Sequence, residues 1–121
     1  MDAARPILVV EDNELIRQAL EVALQSYKLP VVLAANGRQG LESLDKQQPS
    51  LVLLNMHMPE LDGWGFHREL QARGTDPPPV VVMSGAADAP GLANELGAVG
   101  SLEKPFGITD LLKCVRQYRR A

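Results

Sequence analysis

The sequence predicts an α/β fold in which a five-stranded parallel sheet carries helices on both faces. Short apolar runs without polar interruption, which are typical of strands covered on both sides, alternate along the chain with segments of helical periodicity. These runs lie at Ile7–Val10, Val31–Ala34, Leu51–Leu54 and Val80–Met83, with a weaker fifth at Gly100–Leu102. Strands separated by helices pair in parallel, so the alternation indicates an open sheet between two helical layers.

A helical pattern of apolar residues follows each predicted strand. The first is predicted from Leu15 to Tyr27 before Pro30, the second at Gly40–Gln47, the third at Asp62–Arg73, a weak fourth at Ala89–Leu96 and the last from Ile108 to Tyr118. Gly91 and Asn94 weaken the fourth helix because both have low helix propensity. Residues 1–121 are therefore predicted to form a single domain, and the fifth helix leaves no segment for an output domain.

Composition and charge exclude several classes of protein. Hydrophobic residues make up 45% of the chain and charged residues 22%, which excludes a disordered polar chain. The longest apolar runs are far shorter than the about 20 residues of a membrane span, and no signal-peptide core precedes the first strand. A net charge of −3 gives no general attraction to nucleic acid or anionic lipid. The sequence therefore predicts a cytoplasmic protein without nucleic-acid or membrane partners.

Polar residues stand at the ends of four predicted strands, where open α/β sheets place their ligand sites. Glu11 and Asp12 follow the first strand, Asn55 the third, Ser84 the fourth and Lys104 the fifth. Paired carboxylates can hold Mg²⁺, while a lysine and a hydroxyl can both contact a phosphoryl oxygen. Each residue alone has an ordinary explanation: Asp12 could cap the first helix, Ser84 could form a turn and Lys104 could be a surface lysine.

Taken together, these residues and their surroundings resemble the receiver domain of bacterial response regulators over essentially the whole chain. The matching stretches are VVEDNELIR at Val9–Arg17, LVLLNMHMPELDGWGF at Leu51–Phe66, VVVMSGAA at Val80–Ala87 and GSLEKPF at Gly100–Phe106. The resemblance implies a role in two-component signal transduction and a sheet in the strand order 2-1-3-4-5.

The resemblance also implies a role for each site residue. Glu11 and Asp12 would be the acid pair, Ser84 the hydroxyl switch residue and Lys104 the lysine that contacts the phosphoryl group. Magnesium would be bound by Glu11, Asp12, residue 55 and the backbone carbonyl of His57.

The residue at position 55 departs from the family pattern. In the family an aspartate at the end of the third strand accepts a phosphoryl group from a phosphohistidine, whereas this chain has Asn55. A neutral amide oxygen is a poor nucleophile, so we expect phosphotransfer to be lost. At an effective dielectric constant near 20, one unit charge at about 4 Å contributes on the order of 4 kcal/mol before desolvation. Without that charge, Mg²⁺ is expected to bind weakly, with the Asn55 amide oxygen as a poor ligand.

Two further departures lie on the face formed by the fourth helix, the fifth strand and the fifth helix. Ser101 stands where the family usually has an aromatic residue, and Ser84–Gly97 is about two residues shorter than in the family. They favour a natural receiver that has lost phosphorylation. The alternative is an engineered Asp-to-Asn substitution in an ordinary receiver that accepts phosphate from a histidine kinase.

The sequence thus predicts a signalling module that is not an enzyme. It would dock to a histidine kinase, to a phosphotransfer protein or to another receiver. Docking to another receiver, which could be a second copy of the same chain, would use the face formed by the fourth helix, the fifth strand and the fifth helix. A flavin- or phosphatase-type enzyme on the same fold is the remote alternative. Glu11 and Asp12 would repel a flavin phosphate, and the Asp12-Asn13-Glu14 stretch only loosely resembles the pattern of an aspartate-nucleophile phosphatase.

Overall fold

Five strands alternate with five helices in the computed structural model, which describes residues 5–74, 76–85 and 88–120. The elements are β1 (Ile7–Val10), α1 (Glu14–Ser26), β2 (Val31–Ala34), α2 (Gly37–Lys46), β3 (Leu51–Asn55), α3 (Gly63–Ala72), β4 (Val80–Gly85), α4 (Asp88–Leu96), β5 (Gly100–Lys104) and α5 (Ile108–Tyr118). All neighbouring strands pair in parallel in the order β2-β1-β3-β4-β5. The predicted fold class and strand order are confirmed.

Strand register brings the carboxyl ends of the central strands to one edge of the sheet. Val10 at the end of β1 lies opposite Leu54 of β3, so the residues that follow each of them are neighbours. Asn55 in turn lies opposite Met83 of β4. The order of strands reverses between β1 and β3, which is where doubly wound sheets form their ligand crevice.

The sheet is buried between two apolar layers, as the continuous apolar strands predict. One core joins β1, β3, β4 and β5 to α1 and α5, and its buried members are Ile7, Val9, Leu20, Ala23, Leu24, Leu51, Leu53, Val81, Met83, Leu102, Leu111, Cys114 and Val115. The other core lies on the opposite face, with α2, α3 and α4, and its buried members are Leu8, Val10, Ala34, Val52, Leu54, Met56, Met58, Phe66, Leu70, Val80, Val82 and Ala93. Alternate strand residues thus serve opposite layers and hold the strand ends rigidly in place.

Capping residues set helix boundaries that differ from the predicted ones. The cap of α1 is Asn13, whose Oδ1 accepts the Ile16 N–H at 3.0 Å, so Asp12, the alternative cap, does not cap this helix. The helix ends at Ser26, before Pro30, and Lys28 adopts a left-handed conformation with φ 61°. In α2, Asn36 starts the helix three residues earlier than predicted, because its Oδ1 accepts the Gln39 N–H at 2.9 Å.

The later strands are longer than the apolar runs that predicted them. β3 includes Asn55, β4 continues through Ser84 to Gly85, and β5 continues to Lys104. The site residues on these strands are therefore held by the sheet ladder rather than by loops. The weak fourth helix is present as α4, whereas Ala86 and Ala87 of the matching VVVMSGAA stretch lie outside the described residues. Within the described ranges, no helix is both long enough and apolar enough to cross a membrane.

Gly63 is the glycine that lets α3 start against the end of β3. A Cβ at this position would lie 2.6 Å from Met56 Cα and 2.9 Å from the Asn55 carbonyl oxygen. We expect Gly63→Ala to lower the free energy of unfolding by about 1–3 kcal/mol, because the clash is with backbone that cannot easily move. Gly91→Ala is the matched control. Its Cβ would meet no atom within 4 Å, so alanine should stabilise α4 by about 0.5–1 kcal/mol. Urea denaturation of both variants measures the difference, and equal effects would contradict the packing argument.

Candidate functional site

The sheet brings all five sequence-predicted side chains to its carboxyl edge. Glu11 follows β1 and is completely buried, and Asn55 at the end of β3 is only 5% exposed. Ser84 is buried in β4, Lys104 is half-buried at the end of β5, and the Asp12 side chain is exposed. Glu11, Asp12, Asn55 and Lys104 are joined by direct contacts.

The Asn55 amide group connects three segments of this edge. Its Nδ2 donates to Glu11 Oε2 at 3.0 Å, to Asp12 Oδ1 at 2.9 Å and to the backbone carbonyl of His57 at 3.2 Å. The two amide hydrogens are thus shared among three acceptors, two of which belong to carboxylates. Charge-assisted hydrogen bonds of this kind are stronger than neutral ones, so the orientation of the amide is fixed by its surroundings.

Glu11 is a buried carboxylate with a partner on each oxygen. Oε1 makes an ion pair with Lys104 Nζ at 2.8 Å, without hydrogen-bond geometry. Oε2 accepts the backbone N–H of Asn13 at 3.1 Å as well as the Asn55 amide. Because an unpaired charge in this position would be costly, these contacts explain how Glu11 can be fully buried.

Arg17 belongs to the site although the sequence analysis did not assign it a role there. From α1 its Nη1 donates to the backbone carbonyls of Glu11 at 2.9 Å and Asp12 at 3.3 Å. It therefore fixes the backbone that carries the acid pair. The only signal available in the sequence is an arginine one turn into the helix that follows the acid pair.

Ser84 Oγ is buried and has no hydrogen-bond partner among the described residues. A buried hydroxyl without a partner is unfavourable, and in native proteins such a group often marks a place where a ligand or water is received. The hydroxyl on β4 is thus free to donate to an incoming group, and its role toward a phosphoryl oxygen stays a prediction.

The turn between β3 and α3 places the His57 carbonyl. Asp62 caps α3, with its Oδ1 accepting the Gly65 N–H at 2.9 Å, and the Gly63 N–H donates to the Met56 carbonyl at 3.0 Å. The rings of His57 and Trp64 meet edge to face, with centroids 5.5 Å apart. Trp64 is therefore a fluorophore next to the residue whose carbonyl faces Asn55.

The donor set only partly suits Mg²⁺. Glu11, Asp12 and the His57 carbonyl offer hard oxygen atoms, which are the ligands that Mg²⁺ takes. However, these oxygens converge on the Asn55 amide nitrogen, whose hydrogens repel a cation. Within the part of the chain that the structure describes, no group of three or more His, Cys, Asp or Glu side chains could hold a metal ion. The residues as arranged do not accommodate a cation unless the Asn55 amide moves.

Two other titratable groups are kept out of the chemistry by burial. Burial raises the pKa of the Cys114 thiol to about 11, so this side chain is protonated and unreactive at neutral pH. Burial likewise lowers the pKa of His67 in α3, which favours the neutral imidazole. Both side chains serve packing rather than the site.

Comparison with known proteins gives consistent matches. The model of the response regulator receiver domain family matches residues 7–116. A protein-glutamate methylesterase/protein-glutamine glutaminase of Symbiobacterium thermophilum is 42% identical over 115 residues, covering 88% of this chain and 31% of that protein. The response regulator MprA of Mycolicibacterium vanbaalenii is 34% identical over 115 residues, covering 94% of this chain and 50% of that protein. The chain thus spans half or less of the length of these two relatives.

A solved structure matches nearly from end to end. It is the receiver domain of a sensor histidine kinase from Pseudomonas aeruginosa, with a magnesium ion coordinated in its active-site cleft. The two chains are 28% identical with a TM-score of 0.83, over 96% of this chain and 98% of that one.

Proposed function

The chain belongs to the response regulator receiver domain family, and on that premise we propose that it is a two-component signalling module whose phosphoacceptor position holds Asn55. Receiver domains act in two-component signalling and are generally not enzymes. Here the module would work by docking to protein partners without receiving a phosphoryl group. One observation carries the proposal: the side chain at the end of β3 is a neutral amide that donates hydrogen bonds, not an anionic oxygen.

Nucleophilic attack on a phosphoryl group needs an oxygen with an available lone pair and negative charge. The Asn55 oxygen carries no formal charge, and its nitrogen is engaged with Glu11, Asp12 and His57. Glu11 is held by Lys104 and by Asn13 and is fully buried. Asp12 is the exposed carboxylate nearest to Asn55, with its Oδ1 2.9 Å from Asn55 Nδ2. A phosphorylation test must therefore check whether Asp12 is modified.

We expect the chain to take up no phosphoryl group from acetyl phosphate and MgCl₂. Intact-mass analysis after incubation measures this directly. Addition of a stoichiometric phosphoryl group, on Asn55 or on Asp12, would contradict the proposal.

The proposed partners are a histidine kinase, a phosphotransfer protein or another receiver. An apolar groove of about 470 Å³ lies between α1 and α5 next to Lys104, and it supports docking of an apolar helix. Leu15, 77% exposed on α1, and Ile108, 49% exposed on α5, add apolar surface at the starts of these two helices. Contact with another receiver, or with a second copy, would instead use the face formed by α4, β5 and α5.

A second candidate function is an ordinary phosphorylatable receiver that carries an engineered Asp-to-Asn substitution. One observation favours it: the Ser84 hydroxyl is buried without a partner among the described residues. A receiver that had long been free of phosphorylation would have no need of this hydroxyl, whereas Lys104 would still be needed to pair with Glu11. Sequencing the source gene at position 55 separates the two candidates.

Magnesium, location and length remain parts of the proposal. A receiver domain of known structure holds Mg²⁺ in its cleft. We propose that Glu11, Asp12 and the His57 carbonyl would give this chain at most weak Mg²⁺ binding, and that Asn55 could contribute only if its amide turns.

A cytoplasmic location and the lack of nucleic-acid binding stay predictions from the sequence. Since some relatives are longer than this chain, a single-domain organisation over residues 1–121 is likewise a proposal.

A further inference from the structure

The Asn55 side chain lies at a point where oxygen atoms of three segments converge. The acceptors are a carboxylate after β1, the carboxylate of the next residue and a backbone carbonyl from the turn after β3. All three lie within 3.2 Å of Nδ2. Without a positively polarised group between them, two carboxylates at this separation would repel each other.

The carboxylates of this cluster are contacted by donors and a cation of the chain itself. Glu11 receives the Asn55 amide and the Asn13 backbone on one oxygen, and the Lys104 ammonium on the other. Asp12 receives the same amide. The backbone carbonyls of this acid pair are satisfied by Arg17. The described residues thus give the buried Glu11 carboxylate a counter-charge and give both carboxylates a hydrogen-bond donor.

We propose that the Asn55 amide group, together with Lys104, replaces a divalent cation at this edge and makes the module independent of Mg²⁺. This inference rests on the proposed function and concerns regulation of the same site. A cation can enter only by displacing Nδ2 from three hydrogen bonds and turning the amide so that its oxygen faces the cluster. Asn55 is therefore a competitor of the cation, where the sequence had predicted it to be one of the ligands.

The two roles of Asn55 predict opposite effects of its removal. If the amide competes, Asn55→Ala vacates the space between Glu11 and Asp12 and tightens Mg²⁺ binding, by at least about tenfold, since three hydrogen bonds need no longer be broken. If the Asn55 oxygen is a ligand, the same substitution weakens Mg²⁺ binding.

The test titrates MgCl₂ into the intact chain, into Asn55→Ala and into Asn94→Ala, with Trp64 fluorescence and thermal unfolding as readouts. Asn94 is an exposed asparagine of α4 and provides the same chemical change away from the site. We expect the midpoint of unfolding of the wild type and of Asn94→Ala to be insensitive to submillimolar MgCl₂. Asn55→Ala should unfold at a lower temperature without Mg²⁺ and recover part of that loss when Mg²⁺ is added. Equal or weaker Mg²⁺ binding by Asn55→Ala would overturn the proposal.

A measurement on the wild type covers the case in which Asn55→Ala does not fold. In a ¹⁵N-labelled sample the Asn55 side-chain amide should give a resolved proton pair, shifted by its bonds to carboxylates and unchanged by submillimolar MgCl₂. A shift or loss of that pair at submillimolar MgCl₂ would overturn the inference. Failure of this inference and failure of the proposed function are distinguishable. Phosphorylation of the wild type would overturn the proposed function, whereas the cation titration contains no phosphodonor and tests only the inference.

Discussion

Asn55→Asp is expected to convert a chain that takes up no phosphoryl group into one that takes up about one per molecule from acetyl phosphate and MgCl₂. The substitution places an anionic oxygen at the end of β3, within reach of the space now bounded by Glu11 and Asp12. It also removes the amide hydrogens, so a cation is attracted to the carboxylate and carbonyl oxygens that now accept hydrogen bonds from Asn55. Ser84 and Lys104 lie at the same edge of the sheet, where we expect them to contact the phosphoryl oxygens.

Intact-mass analysis of Asn55→Asp gives the stoichiometry, and Asn94→Asp is a matched control that adds a carboxylate on exposed α4. The control should remain unmodified. Absence of any phosphoryl group on Asn55→Asp would mean that the site differs from a working one by more than one residue.

The conformational response of Asn55→Asp should be smaller than its chemical response. Ser101 on β5 is half-buried and has no ring to move toward Ser84. A shift between two states requires contacts that differ between them, and one usual source of that difference is missing. Amide shifts of residues 84–106, with and without phosphate, measure the response. Large changes throughout this region would show that Ser101 does not limit switching and would favour the engineered origin of Asn55.

Lys104→Met is expected to lower the free energy of unfolding by about 2–4 kcal/mol. It removes the cation that lies 2.8 Å from Glu11 Oε1 and leaves a fully buried carboxylate oxygen without a counter-charge. The Lys104 side chain is 23% exposed, so water screens part of the effect and the loss falls below that of a completely buried pair. Urea denaturation measures it. Lys113→Met, at an exposed position of α5, should change stability by no more than about 0.5 kcal/mol.

The double variant Glu11→Gln/Lys104→Met tests the assignment of this loss to the ion pair. Glu11→Gln removes the buried negative charge that Lys104→Met leaves without a counter-charge. The double variant should therefore be more stable than Lys104→Met alone. A coupling energy of about 1–2 kcal/mol is expected for groups in direct contact. Losses that simply add would show that Lys104 contributes through packing and not through its charge.

The fold was predictable because its signals are local and redundant. The buried strands β1, β3 and β4 and the half-buried edge strand β2 all appear as continuous apolar runs. The helices between them leave few arrangements other than a parallel sheet. Boundaries were less predictable because single side-chain contacts set them. Asn13 and not Asp12 caps α1, although both residue types cap helices well, because the Asn13 oxygen is the one that reaches the Ile16 N–H.

All members of the site except Arg17 were predictable, but their interactions were not. Strand order places Glu11, Asn55, Ser84 and Lys104 at one edge whatever their side chains do. Which end of the Asn55 amide faces the acid pair depends on a balance of acceptors and donors that no sequence pattern expresses. Arg17 was missed for a similar reason, since its bonds to the backbone of Glu11 and Asp12 depend on how its long side chain folds back.

Binding of beryllofluoride, a mimic of the phosphoryl group, tests most directly whether position 55 determines the chemistry of the module. Beryllium in this mimic requires an anionic oxygen donor from the protein, so ¹⁹F NMR with MgCl₂ reports whether the end of β3 supplies one. Asn55→Asp should give bound fluorine signals, and the wild-type chain should give none under the same conditions. Bound signals from the wild type would contradict the account, because they would show that another oxygen, such as that of Asp12, performs the role assigned to residue 55.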